Sequence, residues 1–112
     1  MNPMDLVERY FAHMRGRDLD GLSSLFTEDA VAVFPDGREV AGLSSIRGMY
    51  QHIFGAGAPT PTPLATIVGA HGAATEIEAQ LPDGSIRRTA NFFHLDAEGR
   101  IVRLSVYKRG DW

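Results

Sequence analysis

Residues 7–37, VERYFAHMRGRDLDGLSSLFTEDAVAVFPDG, change hydrophobic period within one short stretch, and that change decides the fold class. Just upstream, Asn2 can cap a helix whose first position is Pro3, with Asp5 in its first turn. Leu6, Tyr10, Phe11 and Met14 then recur on one face, and Gly16 is the stop. A shorter helix begins at Asp18 and groups Leu19, Leu22, Leu25 and Phe26, with Gly21 a mild weakness and Thr27 to Asp29 its close. Two extended runs, 30–34 and 38–40, then flank Pro35-Asp36-Gly37, a turn sequence, so the period of two takes over as a hairpin.

Working outward, Ile46, Met49, Tyr50, Ile53 and Phe54 mark a third helix ending at Gly55. The segment GAGAPTPTP (55–63) is a stiff loop; it lacks the strand-turn-helix setting a phosphate-cradling loop requires. Strands are expected at 64–70, 73–81, 85–95 and 101–108, joined by turns short enough to make neighbours antiparallel. Thr75, Ile77 and Ala79 alternate with Glu76, Glu78 and Gln80, as in a sheet with one covered face. Helices followed by a strand meander imply a single α+β domain over 1–112. The expected form is a curved antiparallel sheet wrapped around three N-terminal helices, a cone with an internal pocket.

Composition narrows the function. The 112 residues carry a net charge of −3, no cysteine and 44% apolar side chains. A chain this long buries roughly two-thirds of its unfolded surface, so a core needs no staple. Thiol chemistry and thiolate metal sites are excluded. Weak acidity gives no footprint for nucleic acid, and no apolar run is long enough for a membrane span. The expected setting is cytoplasmic, with no cofactor and no metal, since no two histidines share ligand spacing with a carboxylate.

The element order, together with Arg17-Asp18-Leu19-Asp20-Gly21-Leu22 followed by Leu25-Phe26 and Asp29-Ala30, resembles the nuclear transport factor 2-like (cystatin-like) superfamily along the whole chain. Residues 7–37 look most like the start of ketosteroid isomerases and SnoaL-like polyketide cyclases. In ketosteroid isomerase an oxyanion hole of a tyrosine and a protonated aspartic acid holds the dienolate oxygen while a carboxylate moves the proton. By position the resemblance makes Tyr10 the oxyanion-hole tyrosine and Tyr50 its hydrogen-bond partner. Asn91 falls at the aspartic acid donor and Phe34 at the aspartate base. Asn91 keeps a donor; Phe34 cannot accept a proton. The oxygen-holding half of the machinery is thus preserved and the proton-moving half lost. Phe34, Phe93, Val106 and Ile77 are the expected pocket walls.

Each of these residues also has a purely structural reading. Tyr10 on an apolar helix face is a core tyrosine with its hydroxyl satisfied, and Asn91 is its buried partner. Arg87 and Thr89 share the strand face of Asn91, whereas Arg88 and His94 point away. Lys108 is expected at the pocket mouth, Asp36 in the turn, and His13 and His52 at the solvated rim. Arg103, Tyr107 and Arg109, with Arg88 beside them, form a basic stripe that Glu76 and Glu78 complement across strands or across a homodimer. Two functions remain open: an isomerase- or cyclase-like enzyme on a small hydrophobic ketone, phenol or polycyclic molecule, or a non-catalytic dimeric binding protein with the same cavity.

Overall fold

The computed structural model describes residues 1–111; Trp112 lies outside the described residues. Helix α1 spans Pro3–Gly16, its start fixed by Asn2, whose side-chain oxygen accepts the Asp5 N–H at 2.9 Å. Its apolar stripe buries Leu6, Val7, Tyr10 and Phe11. Arg17 closes it in the left-handed conformation (φ 50°), where glycine is usual. Helix α2, Leu19–Ser24, is capped by Asp18 accepting the Gly21 N–H.

Strand β1 (Phe26–Val33) and β2 (Glu39–Ala41) form the expected hairpin, and α3 covers Leu43–Gly55. Strands β3 (Thr62–Gly69), β4 (Gly72–Gln80), β5 (Ile86–Leu95) and β6 (Ile101–Arg109) follow as an antiparallel meander. The six strands make one sheet in the order β2-β1-β6-β5-β4-β3. Among the described residues no helix is long and apolar enough to cross a membrane.

Two expectations need correction. Thr27 to Asp29 do not close α2. They lie inside β1, because Leu25 and Phe26 are drawn under the sheet: the Ile101 N–H donates to the Leu25 carbonyl at 2.8 Å and Phe26 registers with Ile101. The polar trio is accommodated where the register slips between Phe26 and Val31. Second, the sheet is not antiparallel throughout, since β1 runs parallel to β6. Short turns dictate direction only for the strands they join, and these two meet across most of the chain.

The concave face carries the core. Phe11 and Phe93, each 1% exposed, meet Tyr10 edge to face, with centroids 5.1 and 5.0 Å from its ring. Such pairs add about 0.5–1.5 kcal/mol each beyond the burial of their area. Thr75, inward on β4 and 1% exposed, is satisfied by the Thr66 hydroxyl at 3.1 Å.

Two glycines separate backbone demand from mere tolerance. A Cβ at Gly72 would stand 2.1 Å from the Phe93 carbonyl oxygen, a contact only backbone movement relieves. At Gly48, exposed in the middle of α3, a Cβ meets nothing within 4 Å. Gly72→Ala is therefore expected to cost about 2 kcal/mol or more, and Gly48→Ala to gain about 0.5–1 kcal/mol. Urea unfolding followed by circular dichroism measures both; equal effects would refute the assignment.

Candidate functional site

Helices α1 and α3 do not close fully on the sheet. Between them and the inner faces of β1, β5 and β6 lies a cavity of about 310 Å³. Met14 and Tyr10 reach it from α1, Met49, Tyr50 and Ile53 from α3, and Thr89 and Asn91 from β5. The register explains the convergence. Asn91 pairs with Val106 on one side and Thr75 on the other, so its side chain stands mid-sheet on the concave face, on the side of the sheet that Tyr10 of α1 faces.

The polar floor is a tight cluster. The Tyr10 and Tyr50 hydroxyl oxygens are 2.6 Å apart and buried, and Asn91, 6% exposed, lines the same cavity near the Tyr10 hydroxyl. Burial pushes the Tyr10 phenol up to about 12, with the bonds from Tyr50 and Asn91 pulling partly back. Burial raises Tyr50 well above its ordinary value, and the adjacent Tyr10 adds to the rise. Either hydroxyl can donate in this pair; in the arrangement with Tyr50 as donor, its proton ends on the Tyr10 oxygen. The Tyr10 proton is then left for another acceptor.

Of the expected site residues, Tyr10, Tyr50, Asn91, Phe34, Val106 and Ile77 all line the cavity. Phe93 does not. It lies behind Tyr10, against Phe11, because the β5 twist that aims Asn91 at the cavity packs the next inward residue beneath α1. Lys108, although in register with Thr89, is not part of the lining. Asp36 serves its turn by accepting the Arg38 N–H, and His13 pairs with Asp18 at 3.3 Å. His52 is exposed on α3, and Arg88 pairs with Glu78 on the outer face.

The mouth was not legible. Ala58, Pro59 and Pro61 of the α3–β3 loop form part of the lining, and the loop is tied back by Arg17, whose guanidinium donates to the Ala58 carbonyl at 2.8 Å while lying over the Phe54 ring. The prolines signalled stiffness; nothing local signalled what the loop would lean on. No group of three or more metal-ligating side chains occurs among the described residues.

The buried phenols set a sign for alkaline stability. Below pH 10 Tyr10 is neutral whether folded or not, so its contribution is complete. Between pH 10 and about 12 the unfolded chain ionises first, and stability falls as pH rises. The loss from Tyr10 alone is about 2–3 kcal/mol. Urea titrations from pH 9 to 12 should show this decline, with a shallower slope in Tyr10→Phe; an unchanged slope would contradict the buried-phenol geometry.

Known proteins share this architecture. A protein from Sphaerobacter thermophilus is 26% identical, with 99% of each chain covered and a TM-score of 0.81. A candidate polyketide cyclase from Sinorhizobium meliloti is 27% identical (91% of this chain, 93% of that one, TM-score 0.77). A candidate ketosteroid isomerase from Kribbella flavida is 18% identical (96% and 78%, TM-score 0.83), a likeness of fold. No curated protein matches the chain significantly. Residues 7–104, which include most of the helix-backed sheet and its cavity, match the model of the SnoaL-like domain, and the chain belongs to the SnoaL-like family within the nuclear transport factor 2-like superfamily.

Proposed function

We propose that the cavity binds a small, uncharged, largely apolar molecule through one carbonyl or phenolic oxygen, with the Tyr10 hydroxyl as donor to that oxygen. The observation that carries this is the 2.6 Å Tyr10–Tyr50 pair set in a lining that contains no Asp, Glu, His, Lys or Arg among the described residues. Apolar walls with a few convergent polar groups are how ligand sites combine affinity with orientation, and about 310 Å³ is at the small end of their range. With Tyr50 donating to the Tyr10 oxygen, the Tyr10 proton becomes a better donor. The likeness to proteins named as a candidate polyketide cyclase and ketosteroid isomerase agrees with a carbonyl-bearing or polycyclic ligand.

The lining favours binding over proton transfer. Phe34 supplies no base, and both phenols hold their protons more tightly than a free tyrosine. Turnover would have to take its proton acceptor from the substrate or from water, with the protein stabilising a developing oxyanion. Titration with 2-naphthol, followed by ligand fluorescence, tests the reading. Tyr10→Phe should weaken binding about tenfold, the worth of one buried hydrogen bond, and Tyr50→Phe by less. Affinity unchanged in Tyr10→Phe would overturn it.

We also propose that two copies pair through the outer sheet face. Phe92 and Tyr107 form an exposed edge-to-face ring pair there, 5.5 Å apart, and Ile67 is 77% exposed. Beside the Glu78–Arg88 pair that the chain makes within itself, Glu76 lies on β4 and Arg103 on β6, and a two-fold axis sets Glu76 of one copy against Arg103 of the other. Sedimentation should give a dimer at micromolar concentration and a folded monomer for Phe92→Glu; a monomeric parent would refute the pairing.

A further inference from the structure

Phe34 stands between two hollows. It lines the internal cavity, and with Arg38, Ser45 and His52 it also lines an open groove of about 370 Å³ on the surface. Met49 and Ile53 belong to both linings, so the two spaces share one apolar wall. The Arg38 guanidinium lies over the Phe34 ring, 4.6 Å from its centroid. The two are set by one turn: the Phe34 N–H donates to the Arg38 carbonyl at 2.9 Å, and the Gly37 N–H to the Phe34 carbonyl at 2.8 Å.

The chemistry of the groove is opposite to that of the cavity. Arg38 contributes a cation, His52 and Ser45 contribute N–H and O–H donors, and no carboxylate lines it. Among the described residues Arg38 makes no ion pair within 4 Å. A planar guanidinium held against an aromatic face keeps its edge N–H groups for a carboxylate, which it binds in a geometry a point charge cannot match.

We propose that the groove is an anion-holding subsite, and that the ligand is an elongated apolar molecule with an oxygen function at one end and a carboxylate at the other. This rests on the reading of the cavity as the place of the oxygen-bearing body. The body lies on the Tyr10–Tyr50 floor, the chain passes Phe34 along Met49 and Ile53, and the carboxylate reaches Arg38 and His52. Met49, unbranched and adaptable, suits a passage whose width depends on the occupant. The residue at position 34 then has a positive purpose. An aspartate there would set a like charge on the path of the acid, whereas a phenylalanine carries apolar contact between the spaces and seats the arginine.

The test uses 2-naphthol and a series of ω-(6-hydroxy-2-naphthyl)alkanoic acids of two to six methylenes, each beside its primary amide. At low salt the acid should bind about fivefold or more tighter than its amide at a preferred length, as a charge-assisted bond outweighs a neutral one. That preference should vanish in Arg38→Gln and survive in part in Arg38→Lys, with 2-naphthol affinity unchanged in both. Equal affinity of acid and amide at every length, with 2-naphthol still bound, overturns the subsite and leaves the cavity reading intact. Loss of 2-naphthol binding in Arg38→Gln also overturns it, because Arg38 would then only support the Phe34 wall. Failure of 2-naphthol to bind the parent protein overturns the cavity reading and the subsite with it.

Discussion

The contact on which the rest of the structure depends is the pair of phenol oxygens 2.6 Å apart between α1 and α3. A buried hydroxyl without a partner costs about 1–3 kcal/mol, so each of these two is tolerable only because the other is there. The pair therefore fixes how the two helices approach. Asn91 brings the sheet to the same place, since it lines the cavity from the concave face near the Tyr10 hydroxyl. Three elements distant in sequence are held to one point by polar groups that apolar packing alone would leave free to slide. The aromatic contacts of Tyr10 with Phe11 and Phe93 supply the cohesion around that point.

From this anchor the cavity follows. Helices pinned at their polar contact leave a space above it, which the inner residues of β1, β5 and β6 line without filling. The space is apolar except at the anchor, so the groups that organise the fold are also those available to a ligand. On the proposed reading the Tyr10–Tyr50 pair serves both purposes, because a hydroxyl pair satisfied internally can still offer one proton outward. Phe34 extends the apolar wall to the surface and meets Arg38 there, so the chain passes from a neutral interior to a cationic groove within one hairpin.

Much of this was readable before the fold was known. The caps at Asn2 and Asp18, the turn at Pro35-Asp36-Gly37 and the alternation around Glu76 and Glu78 are local signals, and each acts through nearest neighbours in the chain. Tyr10, Tyr50 and Asn91 were brought together by resemblance and by strand parity, not by any spacing between them. Other features had no local signature. Leu25 and Phe26 join the sheet because of Ile101, and Arg17 reaches a carbonyl on a loop that follows α3. Phe93 shares the strand face of Asn91 yet packs under α1, since parity assigns a face and not the neighbour found on it.

The sequence by itself determined the elements, the face each strand buries and the absence of thiol chemistry. These depend on residue type and on periods of two and 3.6, which any short segment carries. Only the tertiary structure decided the parallel pairing of β1 with β6, the loop at the cavity mouth, and the division of space by Phe34 into an interior and a groove. Those outcomes depend on which surfaces remain after the helices dock, a balance of burial and hydrogen-bond satisfaction struck across the whole chain at once.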